Sequence, residues 1–355
     1  MGARGLSSPK IRVFVTDVYI ISSSTVGFQN VLRAMRRSSG LRFLGRSETL
    51  SAARRQIEYN RPSVILISSK FLSDPDFEAA TTLFLYMEVR WLVFEDEGCQ
   101  QHAVPLRKHR SDLFVIPLNA TQSFIEHQIA AVCHAHWNGG KSEPPASRNE
   151  HIQKWNKSVF IGSSTGGIGA LISILKTYPK ICPPTVIVQH TGTQFIPSLV
   201  NLLNSKTASR VECFSSNTAL KAGHIYLAGG SRQHLEITVS SQTQRGILTP
   251  PGPKDLHVPS IDTLFSSASK LAENAIGVLL TGMGKDGSVG LGKMRAAGAC
   301  TIVQDEKTST IYGMPKIAWE TGAAEFKLPI QNIGPKILES AQTKSSLHHA
   351  GRIST

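Results

Sequence analysis

Val159–Gly169 reads V-F-I-G-S-S-T-G-G-I-G, and the architecture of the chain follows from how this stretch is read. A short apolar run of β-forming residues stops abruptly in small residues, and a helical pattern follows at Ala170, Leu171, Ile174 and Leu175. A strand–turn–helix junction sets its turn at the C-terminal edge of a sheet, where the unpaired N–H groups of the new helix can hold an anion or an oxyanion. Two chemistries fit. Gly162-x-Ser164-x-Gly166 has the spacing of a nucleophile elbow, with Ser164 as the reactive hydroxyl. The same glycines also suit a dinucleotide-binding turn.

Working outward from the turn, Thr185–Gln189 (T-V-I-V-Q) is a second buried strand and is followed by His190. An amphipathic helix is expected around Pro197–Asn204, then strands at Val211–Phe214 and His224–Ala228, with Leu235–Val239 in a hairpin or excursion. Gly246–Pro259 reads as loop, and Ser260 as the cap of a helix with Ile261, Leu264 and Phe265 on its apolar face. Ala275–Leu280 is the third buried strand; it runs into T-G-M-G-K-D-G, Thr281–Gly287. Cys300–Gln304 adds another short strand. In an open parallel sheet all strand C-termini lie along one edge, so Ser164, His190 and Asp286 are delivered to one crevice by topology. A serine triad requires that geometry: Ser164 attacks, His190 removes its proton, and Asp286 orients the imidazole. The order Ser…His…Asp differs from that of the α/β-hydrolases. A dinucleotide site calls for an acidic residue after the second strand, where this chain has Gln189-His190.

The N-terminal part alternates strands and helices as well. Ile11–Asp17 (I-R-V-F-V-T-D) predicts a strand ending on one carboxylate, Asp17. Helices follow at Val26–Met35 and Leu50–Tyr59, with an extended piece at Leu41–Gly45 and strands at Ser63–Ser69, Arg90–Phe94 and Leu113–Leu118. The pattern predicts a doubly wound parallel sheet. Trp137–Lys157, with paired glycines, paired prolines and mixed charge, reads as a linker.

Composition narrows the classes. The chain has 355 residues, 41% hydrophobic and 18% charged, which is globular material for two domains. No run approaches the ~20 apolar residues that span a bilayer, and the N-terminus lacks the apolar core of a signal peptide. Met1-Gly2 with Ser7 matches a myristoylation signal only weakly. Five scattered cysteines without a C-x-x-C pair suggest neither zinc knuckle nor disulfide framework, and fit a reducing cytoplasm. His134 and His136 after Cys133 lack further metal ligands at suitable spacing and read as a solvated helix end. The net charge of +13 comes without a run of five basic residues, so it biases the chain toward acidic partners rather than nucleic acid.

Residues 10–135 resemble, in order and spacing, the receiver domain of two-component response regulators. In that family an acidic pair ends the first strand, where this chain reads Asp17-Val18; the phosphorylated aspartate ends the third strand, where Ser68 stands; and a lysine precedes the proline after the fifth strand, where Ile116 precedes Pro117. Acyl-phosphate chemistry needs that carboxylate and a metal beside it, so no phosphoacceptor is expected and the domain reads as a docking or lid module.

V-F-I-G-S-S-T-G-G, V-Q-H, P-S-I-D-T-L-F, L-L-T-G-M-G-K-D-G and Y-G-M-P, in this order over about residues 157–325, resemble the chemotaxis protein-glutamate methylesterases, the CheB type. The resemblance implies an α/β chain of two doubly wound domains: a degenerate receiver-like, flavodoxin-type domain (1–136), a linker (137–156), a Rossmann-like methylesterase domain (157–340) and a polar tail (341–355). It places the nucleophile at Ser164, the base at His190 and the orienting carboxylate at Asp286, with Thr165 and Met283 lining the site. It implies hydrolysis of γ-glutamyl methyl esters on methyl-accepting chemoreceptors, releasing methanol, and in some members deamidation of receptor glutamines. Neither metal nor cofactor is implied; the expected setting is the cytoplasm, with chemosensory signalling proteins as further partners and neither nucleic acid nor membrane insertion. The oxyanion is expected at backbone N–H groups of Ser164–Gly167, Gly166 among them, and of Met283–Gly284. Three departures bear on the substrate groove: Thr191-Gly192 replaces Met-Pro after the histidine, Val258 replaces an arginine, and Gly230-Ser231 replaces a proline and an aspartate. A non-catalytic docking module on the same fold, which would fail to react with a serine-directed phosphonate, and a dinucleotide-binding oxidoreductase, which would bind nicotinamide, are the alternatives.

Overall fold

The computed structural model describes residues 15–134 and 155–342, apart from 37, 39, 75, 88, 97–114, 118, 230, 231, 241, 242 and 254. The chain divides into two compact units, Met1–Gly140 and Lys141–Thr355.

In the first unit, strands β1 (Thr16–Ile21), β2 (Leu41–Ser47), β3 (Val64–Ser68), β4 (Arg90–Phe94) and β5 (Val115–Ile116) form one parallel sheet in the order 2-1-3-4-5. This is the flavodoxin-type order. Alternate residues Val18, Ile20, Val64, Leu66, Leu92 and Phe94 face one side and pack on Phe28, Leu32, Ile125 and Ile129 of the helices Thr25–Arg36 and Gln122–His134. The helix Leu50–Asn60 buries Leu50, Ala53 and Ile57 at helical spacing. Thr49 starts it by accepting the Ala52 N–H, and Arg61 ends it in a left-handed conformation.

One expectation fails here. Asp17 stands near the entry of β1, not at its end, and makes a two-pronged ion pair with Arg42 (2.6 and 2.7 Å). The completely buried run is Val18–Ile21, which pairs with Val64–Ile67; the more apolar segment takes the interior and leaves the carboxylate at the rim. Residues 11–14 of the expected strand lie outside the described residues. Ser68 does end β3, fully buried, and its hydroxyl donates to the buried carboxylate of Asp96 at 2.8 Å. Ile116 ends β5 before Pro117; residues 113, 114 and 118 of the expected Leu113–Leu118 lie outside the described residues.

The second unit holds a seven-stranded sheet with every neighbouring pair parallel. Its strands are β6 (Ser158–Ser163), β7 (Thr185–Gln189), β8 (Arg210–Cys213), β10 (His224–Ala228), β13 (Ala275–Leu279), β14 (Cys300–Gln304) and β15 (Phe326–Leu328), ordered 15-14-13-6-7-10-8. β6, β7 and β13 are buried along their whole length, as apolar β-branched runs with helices on both faces should be. The chain leaves β6 toward β7 and later returns to β13 on the other side of β6. That reversal opens a crevice beyond the strand ends.

A separate antiparallel sheet combines β9 (Thr218–Ala219), β11 (His234–Ser240) and β12 (Thr243–Thr249). Leu235–Val239 is therefore the expected excursion, but Gly246–Thr249 is strand and not loop, since it pairs with His234–Ile237. The loop begins at Pro250. Helices Gly167–Leu175, Ile196–Asn204 and Ile261–Ala268 fall where their apolar patterns place them, and a further helix, Ser288–Ala296, follows the Thr281–Gly287 turn. Trp155 and Asn156, read as the end of the linker, are tied into this unit: the Trp155 indole donates to Ile181 O at 2.7 Å, and Asn156 N to Ala341 O. Residues 137–154 of the linker and 343–355 of the tail lie outside the described residues. No helix among the described residues is long and apolar enough to cross a membrane.

Candidate active site

Ladder hydrogen bonds carry on past the formal strand ends and align the three expected residues. Ser164 N donates to Thr281 O (3.1 Å), Leu280 N to Gly162 O (2.9 Å) and His190 N to Ser163 O (3.0 Å). The backbone of Ser164 is thus bonded on one side to the strand that leads into Asp286, and that of Ser163 on the other to His190. Gly282 lets the two loops meet, because a Cβ on it would stand 2.6 Å from Ser164 Cβ and 2.5 Å from the Met314 sulfur. Gly166 has a φ of +83°, caps the helix Gly167–Leu175 without a side chain, and faces Thr310 and Thr281 where a Cβ would be. Only glycine suits it.

His190 Nε2 lies 3.0 Å from Asp286 Oδ2. Asp286 is buried and surrounded by donors: Ile261 N (2.8 Å), Asp262 N (3.0 Å) and the Ser260 hydroxyl (2.9 Å). Burial by itself would raise its pKa. The bonds from His190, Asp262 and Ile261 outweigh burial and bring it down to about 2. An ionised carboxylate only accepts, so the proton of the shared bond sits on Nε2, leaving Nδ1 as the basic nitrogen of the ring. Among the described residues Ser164 Oγ makes no hydrogen bond. His190 and Asp286 are joined, therefore, and Ser164 shares the sheet edge with them through its backbone register, its hydroxyl unbonded.

Backbone donors sort themselves similarly. Ser164 N is spent on Thr281 O and Gly167 N on Ser164 O (2.8 Å), so these two expected oxyanion donors are occupied. Among the described residues the N–H groups of Thr165, Gly166, Met283 and Gly284 have no acceptor, and they flank Ser164 from both loops. Thr165 does not cap the helix; its carbonyl accepts the Thr281 hydroxyl at 2.8 Å. Met283, in the loop before Asp286, is 69% exposed, and Leu256, next to His257, is 89% exposed.

Gln189 closes the dinucleotide reading from within. Its side-chain oxygen accepts from Ser163 Oγ (2.6 Å), and its amide donates to the carbonyls of Ser164 (3.0 Å) and His190 (3.1 Å). The position that would hold a ribose is a buried brace. His136 lies outside the described residues, and no group of three or more His, Cys, Asp or Glu among those described could hold a metal ion. The four described cysteines are free thiols.

Sequence reasoning missed three contributors. Ser260 was expected as a helix cap and also donates to Asp286. Asp262 stands in the first turn of its own helix, yet its carboxylate accepts Gly290 N (2.7 Å) on the neighbouring one. His257 stacks on His190 with ring centroids 4.9 Å apart and planes 13° from parallel. A histidine two residues before Pro-Ser-Ile-Asp was the available signal, but no spacing rule connects it to His190.

Residues 159–337 match the family model of the CheB methylesterase. The protein-glutamate methylesterase/protein-glutamine glutaminase of Agrobacterium fabrum is 49% identical over 184 residues, 52% of this chain and 52% of that protein, so the match takes in about half of its length. One of the same name from Caulobacter vibrioides is 33% identical over 350 residues, 94% of this chain and 99% of that one. The crystal structure of the Thermotoga maritima CheB methylesterase catalytic domain superimposes with a TM-score of 0.50 at 33% identity, covering 52% of this chain and 98% of that one. The chain belongs to the CheB methylesterase family.

Proposed function

We propose that the chain is a serine hydrolase that demethylates γ-glutamyl methyl esters on chemoreceptor proteins and releases methanol. The observation that carries this reading is the bond between His190 and the ionised Asp286 beside the unbonded Ser164 hydroxyl. Ser164 Oγ adds to the ester carbonyl as its proton passes to His190 Nδ1. The new oxyanion lies against the N–H groups of Thr165, Gly166, Met283 and Gly284. One such donor is typically worth about 3–4 kcal/mol in the transition state. His190 returns the proton to the departing methoxide, and a water molecule activated by the same nitrogen cleaves the acyl-enzyme. A γ-carboxamide follows the same path with ammonia leaving, which fits the second activity in the relatives' names.

The first unit is assigned to docking or lid duty with chemosensory proteins. Ser68, buried at the end of β3 and hydrogen-bonded to Asp96, supports only the part of this reading that leaves the unit without a phosphoacceptor. Methanol release from methylated receptor tests the activity: it should depend on Ser164, and its absence against every candidate receptor would remove the reading.

A further inference from the structure

The bond from Nε2 to Asp286 fixes one corner of the His190 imidazole and leaves the ring free to rock about the line from Cγ through that corner. Torsions of this sp³–sp² kind have broad wells, so the ring plane needs a second constraint if Nδ1 is to stay aimed. His257 supplies a surface for it, nearly parallel at 4.9 Å.

His257 is exposed, but the segment that bears it is not loose. A single buried imidazole, His234, holds both ends. Its Nε2 meets Asp255 Oδ2 at 2.8 Å, and its Nδ1 accepts the Ser260 N–H at 3.0 Å. Asp255 also accepts Gly252 N at 2.6 Å, and Ser260 Oγ continues the chain to Asp286 at 2.9 Å. Only Leu256, His257, Val258 and Pro259 span the distance between the two anchored residues. The wall beside His190 and the carboxylate that orients His190 are thus held by one connected set of hydrogen bonds.

We infer that His257 is a positioning residue for the proposed acyl transfer, holding the plane of the His190 imidazole from a loop clasped at both ends by His234. Its contribution is a ring face, not a proton, so a flat apolar ring should replace it. The inference rests on the Ser164–His190–Asp286 reading, and its test separates the two. Full-length wild type, His257→Ala and His257→Phe are reacted with a small fluorophosphonate, which needs a positioned base and is too small to report receptor docking. His257→Ala should lower the maximal labelling rate of Ser164 roughly tenfold, as expected when a base loses its alignment. The probe concentration for half-maximal rate should change less than twofold, and His257→Phe should recover most of the rate. A His257→Ala rate within twofold of wild type, a change confined to the half-maximal concentration, or a His257→Phe rate as low as that of alanine each overturns the inference while leaving the triad standing. Failure of wild type to label at Ser164 overturns both.

Discussion

Asp286 and Asp262 cap each other's helices. Asp286 precedes the helix Ser288–Ala296, yet its carboxylate accepts the first N–H groups of the helix Ile261–Ala268, those of Ile261 and Asp262. Asp262, in the first turn of that helix, accepts Gly290 N at the start of the other. Each carboxylate sits at a positive helix end, the favourable site for an anion. The two differ in charge economy. Asp286 is held low, whereas burial and the nearby Asp286 charge raise the pKa of Asp262.

Asp262→Asn should therefore be tolerated. The amide oxygen can still accept Gly290 N, and a buried negative charge next to Asp286 disappears. Its melting temperature should stay within a few degrees of wild type, while Asp262→Ala, which orphans the Gly290 N–H, should lose about 1–2 kcal/mol. Denaturant melts of the two variants check the order.

Asp286→Asn places an amide where the imidazole N–H needs an acceptor of fixed charge. Either the wrong tautomer of His190 or a weakened bond results, and methanol release should fall by roughly 10³–10⁴-fold with the fold retained. Receptor-coupled kinetics and a circular dichroism spectrum suffice. Activity within tenfold of wild type would remove Asp286 from the mechanism.

The depressed pKa of Asp286 also has a stability consequence. A carboxyl that titrates near 4 unfolded and at about 2 folded stabilises the native state above pH 4, and that contribution is lost as pH falls through about 2. The stability difference between wild type and Asp286→Asn should then be constant from pH 7 to 5 and shrink by about 2 kcal/mol by pH 2. Acid titrations of urea unfolding measure it.

Gly282→Ala should damage catalysis more than stability. The added methyl would press on Ser164 Cβ at 2.6 Å and on the Met314 sulfur at 2.5 Å. Met314 can yield as a flexible side chain; Ser164 can yield only by moving the proposed nucleophile. An overpacking cost of about 1–3 kcal/mol is expected, with kcat falling by at least tenfold. Comparing melts with turnover separates the two effects.

A small-molecule phosphodonor should leave the mass of the protein unchanged. Ser68, at the end of β3, is buried and already hydrogen-bonded to Asp96, and Asp17 is paired with Arg42 near the start of β1. Intact-mass spectrometry reads the outcome; a stable added phosphoryl group would contradict the assignment of a silent acceptor site.

Much of the site was legible because strand ends are. Apolar β-branched runs of about five residues are unambiguous, and in a parallel sheet whatever follows them is carried to one edge. Ser164, His190 and Asp286 could thus be gathered without coordinates. What escaped the sequence was set by tertiary contact. The β-forming residues of Ile11–Val15 make Asp17 read as a strand end, but Val18–Ile21 is the run paired on both sides, with β2 and β3. Gly246 reads as the opening of a loop, whereas in β12 the Phe214 ring occupies the space where its Cβ would be. Asp262 points at a neighbouring helix 28 residues onward, and His257 meets His190 across 67 positions; neither distance has a periodicity.

The most direct measurement is site-resolved mass spectrometry of the full chain after reaction with a fluorophosphonate, run beside methanol release from methylated receptor. A single adduct on Ser164, abolished together with methanol release in Ser164→Ala, is the predicted result. Methanol release that persists in Ser164→Ala, or an adduct on any other residue with Ser164 unmodified, would contradict the account.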